Sequence, residues 1–504
     1  MRYRRAAQDL LIHWIENNPV GFGVNWTIAM EAALRAISIC LFLEFVSPPA
    51  TMDSWWLAVT KSLWQHLIFI EAHIEFSHFA RGNHYLSNVV ALFCLSSFLH
   101  GPGMTKRQHV YRKLIEREML LQVYKDGGDF EASTGYHLLN LQMFTTAFLL
   151  IQRQQMPMCS EFADGLRRMY SFLSALSDCR GRVPHLGDCD DGRVELLSDD
   201  LEQMFVSKRE DRYSLTVSGQ LGLGQALLGE RYDGHNKDVV WYGFHAATDQ
   251  EVPSNTRNKR SLVFSDSGIV IGRQDALEVV FLAMPNGMKG KGTHTHNDKL
   301  SLVAHLHGQP LFIDSGTGCY SRDAKTRNQF RATTAHNTIR MDGQEQNQFS
   351  TSNGSIFIIG NDARVSPVRV EEDEQRVLMS ASHDGYGRLG VIHKRTVELA
   401  RPAILTINDY LTGIGYHTFE MCFHLHPRWY VEIVRAEGRK TQCYIKDGSI
   451  TLELMCEAAI DLKMTGKTAE VSPAYGLVIK SKVVVVQGGF ETMLPLLSRL
   501  IQTA

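Results

Sequence analysis

The chain has 504 residues, 44% hydrophobic and 21% charged, an ordinary globular composition with length enough for two or three cores. A formal net charge of -2 gives no overall basic field that would favour nucleic acid. The nine cysteines are scattered singly with no CxxC pair, which argues against a disulfide scaffold and against a cysteine metal site. In chain order, Met1-Arg2-Tyr3-Arg4-Arg5 is basic, but Asp9, His13 and Glu16 follow too soon for a signal-peptide core. Ile28–Phe45 is the best candidate for a membrane span, and it contains Glu31, Arg35 and Glu44. No membrane span is therefore expected. Lack of a leader points to the cytoplasm, with the periplasm or secretion as the alternative.

The first half reads as helices. Ala29–Phe45, Trp55–Ile70, Ser87–Leu99, Lys106–Val123, Tyr136–Gln152 and Ser160–Leu176 carry apolar residues at helical spacing, with Gly, Pro or Asp between them. Paired helices of this length predict a solenoid or a closed ring of hairpins, and no fixed-period repeat is visible. Shorter helices are predicted at Leu197–Phe205 and Ser214–Gly229, and the polar stretch Asp249–Arg260 is the expected linker. The predicted domains are thus 1–248, helical, and 261–504, built of strands. The second domain is rich in short β-branched segments, from Ser261–Gly272 and Glu278–Met284 through Ser355–Ile359, Arg364–Glu371 and Arg376–His383 to Lys480–Gln487. So many strands predict a large antiparallel sandwich.

Lys289–Asp314 is the most informative stretch. Leu300–Ala304 and Pro310–Ile313 read as two strands joined at Gly308. In extended backbone, His294 and His296 would share a face. Asp314 ends the second strand and His336 follows downstream. Two or three imidazoles with a carboxylate make a typical zinc ligand set, whereas a single histidine more often only hydrogen-bonds. In the helical half, Asn83-His84 opens an apolar helix, where Asn83 is either a cap or a cleft residue. Tyr136 lies in the first turn of a helix that follows the glycine-rich Asp126–Gly128. A lone tyrosine is usually an amphipathic core residue.

Asn83, His84, Tyr136 and His294 together suit β-elimination of a uronic-acid polymer. That reaction needs a base at C5, an acid for the departing O4, and donors that neutralise the carboxylate. Asn donates without acting as a base, Tyr passes a proton either way, and His serves as base or charge stabiliser.

The ordered set Gly23-Val24-Asn25-Trp26, Gly82-Asn83-His84, Asp126-Gly127-Gly128 through Tyr136-His137, Gly187-Asp188 with Asp190-Asp191-Gly192, His294-Thr295-His296-Asn297-Asp298, Ile313-Asp314-Ser315-Gly316 and Ala335-His336-Asn337-Thr338 resembles the heparinase II/III-like polysaccharide lyases, which include alginate and oligoalginate lyases. The resemblance implies an α+β multidomain fold, an N-terminal (α/α) toroid followed by a C-terminal antiparallel β-sandwich, with a cleft between. It implies Asn83 as carboxylate neutraliser, His84 as base or its tuner, Tyr136 as acid, and His294 as a second catalytic or stabilising histidine. It implies a structural zinc on His296, Asp314 and His336. Tyr320 is the nearest match to an extra cleft tyrosine of some alginate-acting members. Arg193, Lys299 and Arg331 are candidates to bind uronate or sulfate. Fewer residues precede Gly23 than in most members, which implies an incomplete toroid or a shortened chain.

The expected function is a lyase on an acidic polysaccharide, with a homodimer as one expected assembly. One alternative is a glycan-binding or assembly protein without turnover. Another is a zinc-dependent hydrolase, with Glu131 or Asp298 as its base.

Overall fold

A computed structural model describes residues 2–46, 53–78, 81–178, 180–196, 201, 212–232, 234, 238–244, 259–349 and 356–503. The predicted helix Leu197–Phe205, apart from Leu201, and most of the predicted linker fall outside them.

The helices follow the apolar spacing of the sequence. They are α1 (Arg2–Asn17), α2 (Ala29–Glu44), α3 (Ser54–Ala72), α4 (Asn83–Phe98), α5 (Met104–Gln122), α6 (Thr134–Arg153) and α7 (Ser160–Leu176). Two more, α8 (Ser218–Leu228) and α9 (Ala324–Phe330), are shorter. Asp53 caps α3 by accepting from the Trp56 amide at 2.9 Å. At α4 the cap is Gly82, so Asn83 is the first helical residue and not the cap. The Arg2–Asn17 helix has no counterpart among the predicted elements. Its polar and apolar residues are mixed and most of its side chains are exposed or half-buried. Among the described residues, no helix is long and apolar enough to cross a membrane.

By its contacts the chain forms two compact units. One is helical and comprises Met1–Val123, Leu138–Arg167 and Gly192–Glu195. The other comprises Tyr124–His137, Arg168–Asp191 and Leu196–Ala504. The sandwich unit thus takes in Tyr124–His137, Arg168–Asp191 and residues 196–248 of the predicted helical domain, and the first two of these segments carry site residues.

Two antiparallel sheets dominate the second unit. Strands β3 (Ser261–Phe264), β4 (Ile269–Gln274), β5 (Leu277–Leu282), β6 (Leu302–Leu306) and β7 (Gln309–Phe312) form a meander, preceded by a short pair, β1 (Arg182–Pro184) with β2 (Ser214–Thr216). The larger sheet contains β8 (Ile339–Met341), β9 (Arg369–Glu372), β10 (Arg376–His383), β11 (Ile392–Ala400), β12 (Ile404–Thr412) and β13 (His417–His424). It continues with β14 (Tyr430–Arg435), β15 (Glu437–Lys446), β16 (Thr451–Ala474), β17 (Leu477–Phe490) and β18 (Met493–Gln502). Burial alternates along β10, β11 and β12, as a sheet with one packed face requires. The packed faces meet in one core that includes Val279 and Phe281 from the small sheet and Met379, Val397 and Phe423 from the large one. Each such side chain contributes about 1.5–3 kcal/mol on burial. Gly272 marks a close approach, since a Cβ there would lie 2.9 Å from both Leu399 and Met379.

Several strands differ from expectation. Ser261–Gly272 is two strands separated by a turn. The Ser355–Ile359 strand reduces to a bridge between Phe349 and Ile359, and Arg364–Glu371 shrinks to β9. No strand was predicted at β18, yet it pairs with both β12 and β16 in the middle of the sheet.

Candidate active site and metal centre

Three loops of the sandwich unit lie backbone against backbone. The Met288 amide donates to Phe130 O at 2.7 Å, Asp188 N to His294 O at 2.9 Å, and Thr134 N to Leu186 O at 3.0 Å. Gly187 permits this contact. Its φ is +63°, and a Cβ there would lie 2.6 Å from His294 O.

The expected strand for His294-Thr295-His296 is not formed. These residues lie in a loop, and β6 begins only at Leu302. The two imidazoles nevertheless converge, because both meet one carboxylate. His294 Nδ1 is 3.0 Å from Asp188 Oδ2, and His296 Nε2 is 2.9 Å from Asp188 Oδ1. Arg327 on α9 grips the same carboxylate through both terminal nitrogens, with Nη2 at 2.6 Å from Oδ2. Burial alone would raise the Asp188 carboxyl, but Arg327 and the two histidines outweigh it and hold it well below its ordinary value.

Tyr136, the third residue of α6, stacks on His294 with ring centroids 3.6 Å apart and planes 19° apart. Its hydroxyl donates to Asp190 Oδ2 at 3.0 Å and lies 3.2 Å from the Tyr320 hydroxyl. Burial, then the charges of Asp190 and Asp188, push the Tyr136 phenol well above its usual range. Tyr320 is pushed up for the same reasons. His294 turns its Nε2 towards Glu131 Oε2 at 3.3 Å. The cluster therefore offers a phenol that keeps its proton, a second phenol beside it, and an imidazole between two buried carboxylates.

His296, Asp314 and His336 form a second cluster, all buried, with potential ligand atoms within 4.8 Å of one another. His336 Nδ1 donates to Asp314 Oδ2 at 2.7 Å. His296 Nδ1 and His336 Nε2 are buried and make no hydrogen bond. Orphaned imidazole nitrogens beside a buried carboxylate fit a divalent cation that takes nitrogen and oxygen donors. Burial lowers the His296 ring despite Asp188, which suits the neutral form a ligand requires. The other HxH, His424-Leu425-His426, contributes His424 to the sandwich interior, where Nε2 meets Thr334 O at 2.8 Å.

Among the other predicted site residues, Tyr320 joins Tyr136, as described. Lys299 is fully buried, its ammonium 3.2 Å from Asp298 Oδ1 and 3.3 Å from His296 O. It braces the loop and has no surface on which to meet a polymer, which corrects its reading as a substrate-binding cation. Arg331 is also buried, with its guanidinium over Phe349 and Nε donating to Asn328 at 2.9 Å. Asn83, His84 and Arg193 belong to the helical unit. Asn83 is buried, while the half-exposed His84 places Nδ1 2.8 Å from Glu75 Oε1. Glu75 also accepts from the Met30 amide at 2.8 Å, and these partners outweigh its burial and leave its carboxyl below the ordinary range. The Arg193 guanidinium donates to Gly192 O at 2.7 Å.

Sequence reasoning gave no role to Asp188 or Asp190 and did not single out Arg327. The first two stood within a quoted motif; Arg327 carried no local signal.

Two family models match the chain: Heparinase II/III N-terminus over residues 1–213 and Heparinase II/III-like, C-terminal, over residues 256–488. The chain belongs to the heparinase II/III-like family. A heparin-sulfate lyase of Bacteroides stercoris is 25% identical over 290 residues, 55% of this chain and 38% of that protein. A heparin-sulfate lyase of Pedobacter heparinus is 23% identical over 377 residues, 70% of this chain and 51% of that protein. The chain thus spans about half the length of these relatives or less. A crystal structure of heparinase III superimposes with a TM-score of 0.73 at 16% identity, covering 100% of this chain and 74% of that one. A heparan sulfate lyase from Pedobacter heparinus gives 0.65 at 18% identity, covering 99% and 72%. At such identities these matches establish the fold: helices followed by an antiparallel sandwich, the predicted fold class.

Proposed function

We propose that this member of the family is a polysaccharide lyase that cleaves a uronic-acid-containing glycosaminoglycan by β-elimination. The observation that carries the reading is the buried phenol of Tyr136, stacked on His294 and hydrogen-bonded to Asp190 and Tyr320. A phenol that keeps its proton suits the acid that protonates the departing O4. With each ring nitrogen facing a carboxylate, His294 is better placed to hold the Tyr136 ring by stacking than to accept the C5 proton. By the family resemblance, Asn83 and His84 take the roles of carboxylate neutraliser and base, and Arg193 and Tyr320 those of substrate contacts; Arg331, fully buried like Lys299, has no surface for that role. Zn²⁺ held by His296, Asp314 and His336 would pin the loop that carries His294, a structural contribution. The names of the relatives make heparan sulfate the first substrate to try.

The test is ultraviolet absorbance of the conjugated C4–C5 double bond. Heparan sulfate, heparin, hyaluronan and alginate are incubated with the wild-type chain and with Tyr136→Phe, Asn83→Ala and His84→Ala variants. A rise with the wild type that Tyr136→Phe abolishes is expected. New reducing ends without absorbance would mean hydrolysis, and binding with neither signal would mean a glycan-binding protein. Either result overturns the proposal.

A further inference from the structure

Asp188 uses both carboxylate oxygens at once, and on different tasks. Oδ1 faces Nε2 of His296, and Oδ2 faces Nδ1 of His294. The bond to His296 fixes that ring with its other nitrogen, Nδ1, on the side of Asp314 and His336, where it finds no protein partner. The bond to His294 fixes that ring with Nε2 towards Glu131 and its face against Tyr136. Arg327 holds the carboxylate in place from behind and is itself fully buried, its guanidinium 5.0 Å from the Tyr320 ring centroid. The loop bond from Asp188 N to His294 O adds a backbone tie.

We propose that Asp188, clamped by Arg327, is a positioning residue that couples the metal centre to the reaction centre, so that one carboxylate orients both a metal-ligand histidine and the histidine under Tyr136. This deepens the function proposed above and rests on His296 being a metal ligand. The physical ground is general. A ligating imidazole needs its remote nitrogen hydrogen-bonded to fix tautomer and ring angle, and loss of that partner typically weakens metal binding about 10–100-fold. Here that partner is shared, so a change that metal binding makes in the His296–Asp188 hydrogen bond is felt in the Asp188–His294 bond through the same carboxylate.

The experiment uses the full chain, stripped with a chelator and titrated with Zn²⁺, with ¹⁵N-labelled histidine rings followed by NMR. His294→Gln identifies the His294 signals. In the wild type, the His294 ring signals should move as Zn²⁺ binds although His294 is not a ligand. In Asp188→Asn, Zn²⁺ affinity measured against a chromophoric chelator should fall about 10–100-fold. The residual His294 response should disappear, and kcat should fall much more than KM changes. A general loss of structure would not spare KM while uncoupling a ring signal. Should Asp188→Asn fail to fold, the wild-type titration decides alone. His294 signals indifferent to Zn²⁺ overturn the coupling, as does unchanged zinc affinity in Asp188→Asn. A wild type that binds no Zn²⁺ overturns the metal reading and the coupling together. Coupling observed in a protein that releases no unsaturated product would uphold the role of Asp188 and overturn the lyase.

Discussion

The core of the sandwich contains a charge cluster whose removal has a calculable cost. Asp409 on β12 accepts from Arg395 Nε at 2.7 Å and Nη2 at 3.0 Å, and from His393 Nε2 at 2.6 Å, all fully buried. Arg395 Nη1 also donates to Leu300 O at 2.7 Å and Asn337 O at 2.6 Å. Asp409→Asn would leave the guanidinium charge uncompensated, a loss of about 3–5 kcal/mol. Arg395→Met would strand the carboxylate at a similar cost and orphan two carbonyls, at about 1–3 kcal/mol each. Asp409→Asn with Arg395→Met removes both charges, keeps an amide oxygen for His393 Nε2 and leaves the carbonyl penalty. The double variant should therefore be less destabilised than the sum of the single changes by at least about 2 kcal/mol. Urea unfolding of the sandwich transition, read in a double-mutant cycle, measures this. Additivity within about 0.5 kcal/mol would refute the argument that the pair acts as a unit. Because Asn337 follows His336, Arg395→Met should also weaken Zn²⁺ binding, and the same samples report it.

His336→Ala should lower both the zinc found by elemental analysis and the unfolding midpoint, since a metal at 100 times its Kd stabilises by about 2.7 kcal/mol. Activity lost with zinc and stability intact would contradict a structural metal. Gly187→Ala should cost at least about 1–2 kcal/mol for its left-handed backbone. It should also sharply reduce the activity proposed above, because the new methyl meets His294 O at 2.6 Å; full activity would show that the loop contact does not position the histidine. In the helical unit, His66 donates from Nδ1 to Ser62 O at 2.7 Å and accepts from Arg35 at Nε2 at 3.0 Å, so it must be neutral. Burial pushes its pKa down to about 4. The folded value lies below the unfolded 6.5, so the unfolded chain binds the extra proton. Helical stability should then fall as pH drops from about 6.5 towards 4, by about 3 kcal/mol in all. Urea midpoints of the helical signal at pH 7.5 and 5 test this, and His66→Gln should flatten the dependence by about one proton.

The sequence by itself determined the helices α2 to α7 and the paired strands around Gly308, because each buries a face whose period is written in consecutive residues. The motifs that carry the family resemblance also pointed to His296, Asp314 and His336 as one cluster and to Tyr136 and His294 as members of one set with Asn83 and His84; the structure gathers the first three and stacks Tyr136 on His294. The tertiary structure alone decided that His294 and His296 meet through a shared carboxylate and not through strand alternation. It alone placed Arg327 behind that carboxylate and buried Lys299. The physical reason is that a ring orientation or a charge pairing across more than a hundred residues leaves no local period, propensity or cap in the chain. It exists only once three loops have closed on one another, where burial makes each hydrogen bond obligatory.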